Sequence, residues 1–189
     1  MHTKEELYSN KIFFNAALPL VKVIANDVPS LKKQFAHVHA IIQVSAKDPD
    51  APGGKVGMHF VVNSDEWLVH LNKVDPNPHV ELEFKSVEAM NAFFKGKMSP
   101  ATLPKMKGVV SHFGAFKAFL MTLLKMSSLL GATEAPKDEA TKELMVKCFF
   151  YLLSSGISQL NKMGHEDIHD WTSKSPDRVY AWAVDGYPS

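Results

Sequence analysis

Val80-Glu81-Leu82-Glu83-Phe84-Lys85-Ser86-Val87-Glu88-Ala89-Met90-Asn91-Ala92-Phe93-Phe94-Lys95-Gly96-Lys97-Met98-Ser99-Pro100 is the stretch on which the fold turns. Its first five residues alternate apolar and acidic, the period of a strand with one covered face. Ser86 then stands where an N-cap accepts from first-turn N–H groups, and Glu88 complements the positive end of a helix. Val87, Met90, Phe93 and Phe94 supply the apolar face of that helix, and Gly96 is placed to end it with a positive φ. Lys97 to Pro104 holds two prolines and reads as irregular. Lys105 to Val110 is a candidate fifth strand.

Upstream, the strand period continues. Val38, Ala40, Ile42, Val44 and Ala46 alternate with His37, His39, Ile41, Gln43 and Ser45. Asp48-Pro49-Asp50-Ala51-Pro52-Gly53-Gly54 is dense in turn residues, and Val56, Met58, Phe60 and Val62 share one face of the next strand. Asn63-Ser64-Asp65 turns the chain into a third strand with Trp67, Val69 and Leu71 on one side. Asp75-Pro76-Asn77-Pro78 interrupts before Val80. Short turns between these runs predict an antiparallel meander. Before the strands, Phe13, Phe14, Ala17, Leu20, Val21 and Ile24 recur near the helical period up to about Gln34, with Pro19 expected to bend that helix.

Downstream, Phe113 to Leu130 reads as a helix that is apolar on most of its circumference, wider than the stripe of an ordinary surface helix. Lys117 and Lys125 interrupt it, which argues against a membrane span. Gly131 to Lys137 reads as a linker. Leu144, Met145, Cys148, Phe149, Leu152 and Leu153 give a further helical face, and Arg178 to Val184 has a strand-like alternation expected to pair with another strand. This divides the chain into a body, residues 1–131, and an extension, residues 132–189, packed on the same domain.

The 189 residues are 46% hydrophobic and 22% charged, ordinary for a globular chain, with a formal net charge of +1. That balance offers no basic stripe for nucleic acid. The single cysteine, Cys148, allows no internal disulfide and no cysteine-based zinc site. The N-terminus lacks the pattern of a secretory signal, so a cytoplasmic location is the default expectation. No nucleophile elbow, P-loop or dinucleotide fingerprint occurs, and no catalytic residue is assigned.

Several residues carry a family resemblance. Ala51-Pro52-Gly53-Gly54-Lys55, followed by a β run ending in Val61-Val62, resembles the first hairpin of the sterol carrier protein 2 family. The order Val80 to Phe84, short helix, Gly96-Lys97-Met98-Ser99-Pro100, then Met106-Lys107-Gly108, is similar to the most characteristic stretch of that family. The resemblance runs from about Ile12 to Leu130. The chain departs from the pattern at Pro104-Lys105, where the family has a second Gly-Lys pair, and Glu134 to Ser189 has no counterpart in the minimal domain.

The resemblance implies an α+β fold, with a twisted, mainly antiparallel five-stranded sheet covered by helices that enclose an apolar tunnel. It implies binding or transfer of a sterol, fatty acid or acyl ester without catalysis, metal or redox cofactor. The expected ligand-binding residues are Phe60, Trp67, Met90, Phe93, Phe94, Leu103, Met106, Phe116, Phe119, Leu120 and Leu123. The nine methionines and twelve phenylalanines suit an adaptable apolar lining as well as a plain core. The expected partner is thus a lipid or other apolar small molecule, with room for transient membrane-surface contact and for a homodimer.

Two other readings remain open. One is a self-associating structural module with no bound lipid. The other is a metal-dependent enzyme using His165 and His169, which share a face at i, i+4 if helical. The strict His-Glu-x-x-His spacing is absent. His37, His39, His59 and His70 form a second candidate histidine group on the strands.

Overall fold

In the computed structural model, residues 18, 20–70, 73–94, 97–130, 137–144 and 147–148 are described. Two helices, α1 (Leu20–Asp27) and α2 (Pro29–Phe35), precede strands β1 (His39–Lys47), β2 (Lys55–Asn63) and β3 (Glu66–His70). Strand β4 (Val80–Phe84), helix α3 (Val87–Phe94), the short strand β5 (Lys105–Lys107) and helix α4 (Phe113–Leu130) complete the set. The five strands form one sheet in the order β3-β2-β1-β4-β5. Helices and a mainly antiparallel sheet in one body make this the α+β class expected from the sequence.

The helical start breaks at Pro29. Val28 is extended (φ −95°, ψ 109°) and Pro29 occupies the first turn of α2. A proline disfavours the α region in the residue before it and suits a first helical position, where its missing N–H costs nothing. Pro19, where the bend was expected, lies outside the described residues. Leu20, Val21, Ile24 and Ala25 of α1 and Leu31 and Phe35 of α2 are buried.

β1, β2 and β3 form the expected meander. Asp48 N–H donates to the Gly54 carbonyl (3.0 Å) to close the first turn. Ser64 takes a positive φ of 58° in the second. β4 departs from the meander. It lies beside β1, in parallel, with Ile42 opposite Val80 and Ala46 opposite Phe84. The reason lies in burial. All five residues of β4, Glu81 and Glu83 included, are buried. A strand covered on both faces belongs inside the sheet, not at the β3 edge where a continued meander would place it. The connection through Lys73 to His79 carries the chain across β2 and β1 to that position.

β5 covers Lys105–Lys107, shorter than the run expected to Val110, and pairs antiparallel with β4. Helix α3 starts as its sequence predicts, with Ala89 N–H donating to Ser86 Oγ (3.1 Å). Gly96, expected to end α3, lies outside the described residues. In α4, the buried Thr122 donates its hydroxyl to the Ala118 carbonyl (2.8 Å) and so leaves no polar group unmatched. Leu144 and Cys148 are buried in the same core as the sheet and helices, and Lys147 pairs with Asp27 at the end of α1. Phe149, Leu152, His165, His169 and the run Arg178 to Val184 lie outside the described residues.

Candidate functional site

The register divides the sheet into two unlike faces. On one lie Ala40, Ile42, Val44 and Ala46 of β1, Val56, Met58, Phe60 and Val62 of β2, and Trp67 and Val69 of β3. Val80, Leu82 and Phe84 of β4 and Met106 of β5 share this apolar face. The helices cover it. α4 packs chiefly on α1, α2 and β1, and α3 on β1 and β4.

Two aromatic groups stand beneath the helices. Phe35 meets Trp67 edge-on (centroids 4.7 Å), Trp67 meets Phe60 (5.6 Å), and Phe60 meets Phe119 of α4 (6.0 Å). All four are buried and join helices to sheet in the offset and edge geometries that aromatic quadrupoles favour. The second group is Phe84, Phe93 and Phe94, with centroids 5.2 to 5.6 Å apart.

The expected ligand-binding residues fall into three groups by position. Phe60, Trp67, Met90, Phe116, Phe119 and Leu123 are buried in the continuous core. Phe93, Phe94 and Leu120 are half-buried against it. Leu103 and Met106 are exposed, at 50% and 47%. Met106 stands on the apolar face opposite Leu82, which is only 3% exposed. The helical cover therefore closes over β1 to β4 and leaves the apolar side of β5 open. Apart from Leu68, every large apolar side chain found exposed among the described residues comes from Met98 to Leu124.

The other face is polar and carries a network that the sequence reading missed. Glu81 Oε1 accepts from Gln43 Nε2 (2.9 Å), Ser45 Oγ (2.6 Å) and Lys55 Nζ (2.9 Å). Its Oε2 accepts from Lys107 Nζ (3.0 Å), which also reaches Glu83, as Lys55 does. Burial pushes the Glu81 carboxyl up. The bonds from Ser45, Lys55, Gln43 and Lys107 together outweigh that and hold it at about 2. The Lys55 bond, against burial, draws Glu83 below the ordinary carboxylate value. Both lysines are raised, Lys55 despite its burial.

The same face anchors the crossover. Gln43 Oε1 accepts from Asp75 N–H (2.7 Å), and His59 Nδ1 bonds the Lys73 carbonyl (2.8 Å), which requires the proton on Nδ1. His79 Nδ1 accepts from Ile41 N–H (2.9 Å) at the start of the parallel pairing. The signal in the sequence was the pair of lysines, Lys55 and Lys107: register sets Lys107 opposite Glu81, and Lys55 of β2, opposite Lys47 of β1, reaches both glutamates across β1.

The strand histidines do not converge. His59 and His70 stack (4.6 Å), but His39 sits at the far end of β1 and bonds Asn63 (2.6 Å), and His37 precedes the strand. Among the described residues no three metal-ligating side chains lie together. No helix of the described residues is long and apolar enough to cross a membrane. Burial, with Asp27 nearby, pushes the Cys148 thiol up to about 11. Native protein at neutral pH is accordingly expected to react with an aromatic disulfide reagent only as fast as it unfolds. Rapid stoichiometric labelling would contradict that placement.

No protein-family model matches the chain, and no curated protein matches it. Two solved structures are similar. One is a crystal structure of sterol carrier protein 2, at 11% identity and a TM-score of 0.41, covering 69% of this chain and 97% of that one. The other is the solution structure of a conserved hypothetical protein from Thermus thermophilus, a candidate sterol carrier protein, at 9% identity and a TM-score of 0.36, covering 76% of this chain and 90% of that one.

Proposed function

We propose that the chain binds an apolar ligand (a sterol, fatty acid or acyl ester) without catalysis, between the apolar face of the sheet and helices α3 and α4. The observation that carries this is Met106, which belongs to the apolar face by register and yet is 47% exposed. Beside it the half-buried Phe93 and Phe94 pack on Phe84, diagonal to Met106 across β4 and β5. An apolar sheet face that continues outward past its helical cover is the entrance a hydrocarbon chain needs. The hydrocarbon of the ligand loses water on both sides as it enters. The sterol carrier resemblance of residues 80–108 points the same way.

Purified protein under gentle native mass spectrometry, then denaturing conditions, is expected to release a lipid. A fluorescent fatty acid should bind saturably. Met106→Glu should weaken binding about tenfold or more, because a carboxylate at the entrance loses hydration when the ligand covers it. The melting temperature should hardly change, since Met106 is half in water already. An empty protein that binds no fatty acid would overturn the proposal. In that case an obligate dimer would favour the self-associating module, and a stoichiometric metal the enzyme reading.

A further inference from the structure

The outer stripe of α4 has an unusual composition for a surface exposed to water. Phe113 (60% exposed), Met121 (43%) and Leu124 (53%) recur along it with Lys117 and Lys125, and Val110 (96%) stands just before the helix. The opposite side of the same helix, Ala115, Phe116, Ala118, Phe119, Thr122, Leu123 and Met126, is buried in the core. A solvent-facing stripe normally mixes acidic and basic residues. This one carries Ser128 besides its apolar side chains, and the charged residues on it are basic only. Residues 89–133 hold six lysines and no aspartate or glutamate, which leaves 15 basic against 20 acidic residues in the rest of the chain. Asp138, whose carboxyl is drawn down by hydrogen bonds from Thr141 and also by the Lys125 charge, is an acidic group near the stripe but comes from outside the helix.

We propose that this outer stripe of α4 docks the protein on a bilayer bearing anionic phospholipid, with α4 lying in the plane of the interface. The apolar side chains enter the headgroup–acyl boundary, while Lys117 and Lys125 extend their stems along it and hold their ammonium groups among the phosphates. Charge decides between this occupant and a second copy of the chain. A two-fold axis at the centre of the stripe, near Met121, would set Lys117 of one copy against Lys125 of the other. An anionic surface satisfies both lysines at once. The proposal goes beyond ligand binding and does not depend on it, because the stripe faces away from the sheet.

The test is co-sedimentation of the full chain with vesicles of phosphatidylcholine alone, and with vesicles of equal parts phosphatidylcholine and phosphatidylserine. Partitioning onto the anionic vesicles should be about tenfold or more the stronger, and should fall as salt is raised. Lys117→Glu with Lys125→Glu should lower it about tenfold or more, and Leu124→Ser several-fold. Lys117→Gln with Lys125→Gln serves if the glutamates perturb folding. Leu68→Ser, at an exposed apolar residue on the polar face of the sheet, should change nothing. Absence of vesicle binding would overturn the proposal, as would equal binding to both vesicle types that the lysine variants leave unchanged. A dimer dispersed by Leu124→Ser, with no vesicle binding, would overturn it in favour of the second copy. Fatty-acid affinity measured on the same variants separates this outcome from failure of the ligand site, since Met106 is untouched.

Discussion

Gly108→Ala is expected to cost about 3 kcal/mol of stability, and so about 6 to 12 °C in melting temperature for a chain of this size. Gly108 joins β5 to the turn before α4 with φ +75°. A Cβ there would lie 1.8 Å from the His79 carbonyl oxygen and 2.9 Å from its carbon. His79 cannot yield easily. Its N–H donates to the Ile41 carbonyl (2.9 Å) and its ring accepts from Ile41 N–H (2.9 Å), which together open the parallel pairing of β1 with β4. On the other side, the Gly108 carbonyl accepts from His112 N–H (2.9 Å), and the His112 ring rests on the His79 ring (4.9 Å). One methyl group would therefore have to displace either the ladder or the start of α4. Urea unfolding of Gly108→Ala and Gly108→Asn separates the two components. Asparagine tolerates positive φ but carries the same Cβ, so it should recover little. Recovery to near the wild-type midpoint by asparagine would mean that backbone conformation, not the close approach, makes glycine necessary.

Much of the sheet was legible because alternation reports local geometry. Val80 to Phe84, Ile42 to Ala46 and Met58 to Val62 each place apolar side chains on one face at every second residue, and the turn-rich segments between them mark where strands end. Pairing order is not a local property. Asp75-Pro76-Asn77-Pro78 interrupts strands equally well in a hairpin or in a crossover. What selects the crossover is the complementarity of Gln43, Ser45 and Lys55 with Glu81, residues separated by 26 to 38 positions. The break at Pro29 was legible in principle. The helical periodicity across Leu20 to Leu31 concealed it, since both short helices present their apolar residues to the same core.

The candidate site was legible to the extent that aromatic residues at core positions can be recognised. Phe60, Trp67 and Phe119 do meet. Whether an apolar residue is sealed or accessible depends on which helix covers which strand, and no periodicity states that. Leu103 and Met106 thus stand exposed among residues chosen alongside the sealed Met90 and Phe116. The acidic half of β4 misled in the opposite sense. Glu81 and Glu83 alternate as a solvated face would, yet are 3% and 8% exposed, because lysines from β2 and β5 pair with both and Gln43 and Ser45 of β1 donate to Glu81.

That covered network makes the protein acid-sensitive. Glu81 is held at about 2 in the folded state against an ordinary value near 4.5, so the folded chain binds its proton less readily than the unfolded chain does. The stabilisation this carries is complete above the unfolded value and is lost progressively as pH falls from about 5 to about 2. The shift corresponds to about 3 kcal/mol, and Glu83, lowered as well, acts in the same direction. Lys55 and Lys107 are raised, so their contribution persists below the ordinary lysine value of 10.5 and fails only as pH climbs through their folded values. Glu81→Gln keeps the shape and most of the hydrogen bonding but removes the charge. At pH 7 it should lower stability by about 2 to 3 kcal/mol, less than a sealed ion pair would lose, because both lysines can turn partly to water. Lowering the pH should then erode the wild type faster than the variant, and their urea midpoints should converge as pH approaches 2. Parallel loss in both proteins would show that the acid sensitivity arises elsewhere. Ser45→Ala supplies the complementary measurement. It deletes one neutral donor to Glu81, so it should raise the pH of the wild-type acid transition while leaving the charge count, and hence the direction of the slope, unchanged.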